Sequence, residues 1–315
     1  MDHTSRPVVL PADAAGIAEA ARLLREGGLV AVPTETVYGL AARADRDESV
    51  AAIYQAKGRP SFNPLIVHVA SVEAAQELAS FDACALRLAE VFWPGALTLV
   101  LPLQPGAPVA AAVTAGLSTI ALRCPAHPVM RAIIAEAGLP LAAPSANRSG
   151  GVSPTGAGHV LSSLGDRIDA VVDGGACEAG LESTIVALRA DGRWQVLRPG
   201  PIPELAISAV LGTVSDAVTS QAIEAPGQLI SHYAPGKPVR LDAATADEDE
   251  FHIGFGEVAG DVTLSASGDL IEAAARLYAL LHEGAASNRP RIAIAPIPVH
   301  GVGEAINDRL KRAAA

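Results

Sequence analysis

Apolar residues recur at helical spacing over positions 13–26. Ile17, Ala20, Ala21 and Leu24 fall on one face, Asp13 stands where a cap belongs, and Gly27-Gly28 follows. This predicts an amphipathic helix. Leu29-Val30-Ala31-Val32 is then continuously apolar up to Pro33, the pattern of a buried strand. The same alternation continues along the chain. Helices are predicted at 47–56 (Val50, Ile53 and Tyr54 inward), from Ser71, and at 82–92, 128–137 and 203–211. Strands are predicted at 64–69, 97–101, 118–123, 140–143, 169–172, 184–188 and 194–198. Strands and helices mixed in this order argue an α/β sheet domain.

After Gly212 the periodicity fades. Residues 213–240, with Pro226-Gly227 and Ser231-His232-Tyr233-Ala234-Pro235-Gly236, read as a linker. Asp247-Glu248-Asp249-Glu250 reads as a solvated loop. A strand at 251–255, a helix at 269–283, a strand at 291–295 and a helix at 302–313 then make a small βαβα-like unit. The expected organisation is a first domain over 1–212, a linker over 213–240 and a second domain over 241–315.

Composition narrows the function. Half of the 315 residues are hydrophobic and 18% are charged, as in a packed globular protein. The net charge is −11, with an acidic excess in both the first 210 residues and the remainder. A long track for a nucleic acid backbone usually carries a basic excess, so any anion site must be local, built from a few converging cations. Three cysteines without a Cys-x-x-Cys pair argue against a disulfide framework or a cysteine zinc site, and fit a reducing cytoplasm. The N-terminus lacks the form of a signal peptide, and no apolar run suits a membrane span.

The chain has no Gly-x-x-x-x-Gly-Lys-[Ser/Thr], no His-Glu-x-x-His and no Gly-x-Ser-x-Gly; Gly254-x-Gly256 and Gly301-x-Gly303 read as turns. Four other segments carry the candidate chemistry. Pro33-Thr34-Glu35-Thr36-Val37-Tyr38-Gly39-Leu40 follows a buried strand, where open α/β sheets place functional loops, although a capped turn has the same pattern. Lys57-Gly58-Arg59-Pro60-Ser61-Phe62-Asn63-Pro64 sets two cations about a glycine at a helix end, suited to phosphate or simply to the helix dipole. In the strand 118–123, Thr119, Ala121 and Arg123 share a face. A buried arginine there needs an anionic partner, from a substrate or from a structural acid. Finally, Ser145, Asn147 and the amides of the Gly-rich turn after Pro144 could cradle an anion, or form a plain polar loop.

Together these segments resemble the Sua5/YrdC/YciO family, specifically its two-domain Sua5 type. PTETVYGL, KGRPSFNPLIVH, STIALRCPAHP, APSANRSG, LESTIV and LRPG come in the family's order. Lys57-Gly58-Arg59 and Ser145-Ala146-Asn147 match its Lys-x-Arg and Ser-x-Asn signatures. QLISHYAPGKP at 228–238 looks like its linker, and APIP at 295–298 with INDRL at 306–310 like its C-terminal domain. The resemblance implies a twisted mixed-sheet YrdC-like α/β domain with a concave site, and a smaller Rossmann-like domain. It also implies synthesis of threonylcarbamoyl-adenylate from L-threonine, bicarbonate and ATP, with release of pyrophosphate. Magnesium would accompany ATP, no metal being assigned to side chains. The product would pass to a separate transferase complex acting on adenosine 37 of tRNAs that decode ANN codons.

On the same footing, Thr36, His68, Arg123, Ala143 and Ser183 match positions that hold threonine, with Arg123 pairing its carboxylate. Arg59, Asn63, Thr119, Ser145, Ser153, Arg198 and Tyr233 match positions that hold the nucleotide. Lys57 and Asn147, with Arg59 and Ser145, form the catalytic signatures and would support phosphates or loop geometry. Glu35 and Glu182 are candidate general bases or structural acids. The linker bearing Tyr233 is a candidate lid. An RNA-binding module fits the acidic balance poorly. A carbamoyltransferase of the hydrogenase-maturation type would carry zinc-binding cysteines that this chain lacks. A non-catalytic relative is less consistent with intact Lys57, Arg59, Ser145 and Asn147.

Overall fold

The structure is a computed structural model that describes residues 6–189, 191–216, 224–228 and 232–315. In chain order the first part forms β1 (Val8–Pro11), α1 (Ala14–Arg25), β2 (Val30–Val32), β3 (Gly39–Arg43), α2 (Asp47–Lys57) and β4 (Ile66–His68). Then come α3 (Val72–Gln76), α4 (Ala83–Phe92), β5 (Leu97–Pro102), α5 (Ala111–Thr114), β6 (Thr119–Arg123) and α6 (Pro128–Ala137). β7 (Leu141–Ala142), α7 (Ala157–Leu164), β8 (Ala170–Asp173), β9 (Thr184–Leu188), β10 (Trp194–Arg198) and α8 (Glu204–Leu211) complete it. The remainder forms β11 (Val239–Arg240), β12 (Glu250–Gly254), β13 (Val262–Thr263), α9 (Leu270–Ala286), β14 (Arg291–Ile294) and α10 (Val302–Ala313).

Local chemistry sets the ends of these elements. Asp13 caps α1 by accepting from the Gly16 amide at 2.9 Å, and Ser71 and Asp82 cap α3 and α4 in the same way. α2 ends on Gly58 at φ 59°, the left-handed conformation that lets the chain turn back with Arg59. Ten strands form one mixed sheet in the order β1-β8-β2-β3-β7-β4-β6-β5-β9-β10. Its central strands are buried throughout, which explains their unbroken apolar runs. The second sheet, β11-β14-β12-β13, is parallel, with α9 connecting β13 to β14 and α10 following β14. The mixed sheet and the smaller parallel α/β unit agree with the expected fold.

Some elements left no sequence pattern. β3 reads Gly-Leu-Ala-Ala-Arg, without a β-branched residue, and is a strand because β2 pairs with it. α7 lies between glycines that hide its periodicity. β11 falls inside the stretch read as linker, of which residues 217–223 and 229–231, including Ser231, lie outside the described residues. The acidic run is solvated over Asp247, Glu248 and Asp249, which are exposed, but not at its last residue. Glu250 opens β12, is 2% exposed, and is held at 2.5 Å by Arg240, while Arg291 pairs with Asp247 and Asp249.

Candidate active site

The site lies where parallel strands β4 and β6 end side by side, with His68 opposite Arg123. The loop after β2 closes over them. Thr34 Oγ accepts from the amides of Thr36 and Val37 and donates to the Val37 carbonyl, a side-chain-locked turn that presents Thr36. Backbone bonds from Leu40 to Pro144 and from Ala146 to the Tyr38 carbonyl join this loop to the segment Ala143–Asn147.

A cavity of about 40 Å³ results, lined by Thr36, Arg59, His68, Arg123, Ala143, Ser145, Ser183, Arg198 and Tyr233, all expected from the sequence. Val37, Ile66, Pro144, Glu182, Pro226, Gly227 and His232 complete the wall. His232 is a wall residue that the sequence does not mark, beyond its place next to Tyr233 in the linker run. Pro226, Gly227, His232 and Tyr233 bring the chain between the two sheets onto the cavity. Gly227 adopts φ +84°, and a Cβ there would stand 2.9 Å from Arg198 Cδ, so only glycine permits this approach.

The cations differ in their commitments. Arg123 Nη2 donates to Glu35 Oε1 at 2.6 Å, Nη1 to Thr36 Oγ1 at 2.9 Å and Nε to the Gly95 carbonyl at 3.2 Å. Its structural anion is therefore Glu35. Arg59 and Arg198 meet only neutral acceptors. Arg59 donates to the Asn63 and Pro64 carbonyls, and Arg198 to Ser183 and Pro226. Neither has an ion pair among the described residues, and burial lowers the pKa of both, to about 10 for Arg59.

Lys57 does not line the cavity. Its ammonium donates to the Ser145 and Asn147 carbonyls at 2.6 and 2.5 Å, while burial and then Arg59 push its pKa well below that of an ordinary lysine. Asn147 likewise spends Nδ2 on the carbonyls of Arg148 and Gly151. Lys57 and Asn147 thus shape the Ser145 loop from behind, while Arg59 and Ser145 of the same signatures line the cavity. Asn63, Thr119 and Ser153 also stand outside the lining. Ser153 Oγ donates to Glu182 Oε1 at 2.5 Å, and Thr119 begins β6, four residues before Arg123.

The two acids are poor general bases. Burial alone would raise Glu35, but Arg123 outweighs it and holds the carboxyl at about 2. Burial opposes ionisation of Glu182 too, and Arg309 with Arg198 holds it at about 2. A base poised near neutral pH needs the opposite shift.

Several buried polar atoms have no partner among the described residues: Asn63 Nδ2 and Oδ1, His68 Nδ1, Asn147 Oδ1 and His232 Nδ1. Such atoms are rare and call for an explanation. These four residues lie at the cavity or in the loops that build it; a further such atom, Asp216 Oδ2, is outside the lining and 3.5 Å from Arg193.

A family model described as telomere recombination, covering Sua5, YciO and YrdC, matches residues 22–200. One described as threonylcarbamoyl-AMP synthase, C-terminal domain, matches residues 202–315. The chain is 38% identical to the threonylcarbamoyl-AMP synthase of Pyrococcus abyssi, over 93% of this chain and 92% of that one. It is 50% identical to the Bacillus subtilis protein of the same name, over 71% of this chain and 66% of that one. The crystal structure of P. abyssi Sua5 complexed with L-threonine superposes with a TM-score of 0.88 at 35% identity, covering 98% of each chain. The protein therefore belongs to the Sua5/YrdC/YciO family, as a member with the Sua5-type C-terminal domain.

Proposed function

We propose that this protein is a threonylcarbamoyl-AMP synthase, joining L-threonine, bicarbonate and ATP into threonylcarbamoyl-adenylate and pyrophosphate, the first step of the threonylcarbamoyl modification of adenosine 37 in tRNA. The observation that carries the reading is the meeting of two unlike sets of groups in one cavity. Thr36, His68, Ala143, Ser183 and the Arg123–Glu35 pair suit a small zwitterion. Arg59 and Arg198, buried and without an ion pair among the described residues, suit phosphate together with Ser145 and Tyr233.

The geometry supplies binding and electrostatics, and phosphoryl chemistry needs little else. Threonine's amine attacks the bicarbonate carbon, the bond from that carbon to its hydroxyl breaks, and the hydroxide leaves as water with the amine proton, giving a carbamate. The carbamate oxygen attacks the α-phosphorus of ATP, the bond to the β-phosphate oxygen breaks, and pyrophosphate leaves. Arg59 and Arg198 stabilise charge on the nonbridging oxygens and the leaving group. Burial of the site protects the carbamate from water. Magnesium would neutralise phosphate charge. The residues here fit a metal carried by the triphosphate, since both nearby carboxylates are committed to arginines and no cluster of three or more His, Cys, Asp or Glu among the described residues could hold an ion.

Pro226, Gly227, His232 and Tyr233 form one wall of the cavity, and this segment acts as the lid. The product would be handed to a separate transferase complex. The test is pyrophosphate release from ATP with and without L-threonine and bicarbonate. Release that needs all three is expected; release indifferent to threonine would overturn the reading.

A further inference from the structure

Arg309 lies on α10 in the C-terminal unit, yet its side chain is fully buried against the first. Its Nε donates to Glu182 Oε2 at 2.8 Å and its Nη2 to the Pro199 carbonyl at 2.9 Å. Its guanidinium carbon stands 5.3 Å from the centre of the Tyr233 ring. Tyr278 of α9 donates to the same carboxylate oxygen at 2.8 Å, and Ser153 Oγ to the other. Glu182 thereby accepts three hydrogen bonds, and two of the three donors come from the C-terminal unit.

Glu182 also lines the cavity with Arg59 and Arg198. A buried carboxylate without a partner is costly and seeks any cation in range. Arg198 is the neighbouring cation: it lines the same cavity and donates to the Ser183 carbonyl and hydroxyl at 2.9 and 3.1 Å, one residue from Glu182. Without Arg309, Glu182 and a triphosphate would compete for Arg198.

We propose that Arg309, delivered by the C-terminal unit, is a positioning residue for the nucleotide-binding groups of the site, because it engages Glu182 and leaves Arg198 to the phosphates. The inference rests on the cavity being a nucleotide site and gives the C-terminal unit a role beyond covering it. The mirror-image expectation is that removing the acid removes the need for the arginine.

The experiment measures ATP binding by calorimetry on the full chain, beside threonine-dependent pyrophosphate release, with urea unfolding as the folding control. Arg309→Met is expected to weaken ATP binding about tenfold or more and to leave threonine binding within about twofold. Glu182→Gln combined with Arg309→Met is expected to recover ATP affinity to within about threefold of the parent. Wild-type affinity in Arg309→Met, or a double variant as weak as the single, overturns the proposal; the second result leaves Arg309 only a docking contact. If Arg309→Met does not fold, the double variant and the charge-retaining Arg309→Lys decide, and a tenfold loss of ATP affinity in either overturns it. A parent protein that binds ATP but releases no pyrophosphate would sink the synthase reading while this test still reads out.

Discussion

Arg123 Nη2 stands 2.6 Å from Glu35 Oε1, joining the end of β6 to the loop after β2, so the residue expected to meet a substrate carboxylate is already neutralised by the protein. An arginine has five N–H donors, and three are engaged here, which leaves two for a ligand. Arg123→Ala should raise the threonine requirement with ATP affinity nearly unchanged. It should also destabilise the fold by about 3–5 kcal/mol, because Glu35 loses its partner in a buried setting. Glu35→Gln in the same chain should restore the urea midpoint but not the threonine affinity. Selective loss of ATP binding in Arg123→Ala would show the assignment to be wrong.

Lys57 supports two carbonyls of the Ser145 loop and does not line the cavity. Lys57→Met should therefore lower turnover and stability by loosening that loop. The salt dependence of ATP binding should stay as in the parent, since no phosphate contact is lost. A shallower salt slope in the variant would instead place the ammonium on a phosphate.

Acid should weaken the fold in two stages. Burial holds His68 and His232 at about 3 and His282 at about 4, below the ordinary 6.5 or so of histidine. The unfolded chain therefore binds more protons, and stability falls as pH drops below about 6.5. Glu35 and Glu182, at about 2, contribute fully above the ordinary carboxyl value of about 4.3 and are lost as pH falls towards 2. Urea midpoints at pH 7.5, 5.5 and 3.5 should decrease in that order; a flat profile would contradict the burial of these groups.

Removing residues 225–315 takes away Gly227, His232 and Tyr233 from the cavity, and with them the Arg309 and Tyr278 donors of Glu182. ATP use by the remaining domain should fall, and its thermal stability with it. Kinetics equal to those of the full chain would remove the lid from the mechanism.

Much of this was legible in the chain itself. Caps such as Asp13 and Ser71 and the apolar runs of β2 and β9 mark their elements because the patterns are local. Nine of the expected site residues do meet in one cavity, since they sit in loops that end strands of one sheet. What the sequence concealed depends on partners far along the chain. Glu250 looks like a solvated acid until Arg240 covers it, and Lys57 looks like a phosphate ligand until the Ser145 loop folds over it. Arg309 falls on the buried face of α10, within the INDRL string, and nothing local marks its role, because its partner Glu182 lies 127 positions away.

Thr119 and Arg123 project from the same face of β6, four residues and about 13 Å of extended backbone apart. The strand is in effect a ruler between the zone assigned to the nucleotide and the zone assigned to the amino acid. A ruler of this kind has discrete markings: adding or deleting a single residue between the two would swing one of them to the opposite side of the sheet. The segment from Thr119 to Arg123 can therefore change its side chains far more readily than its length.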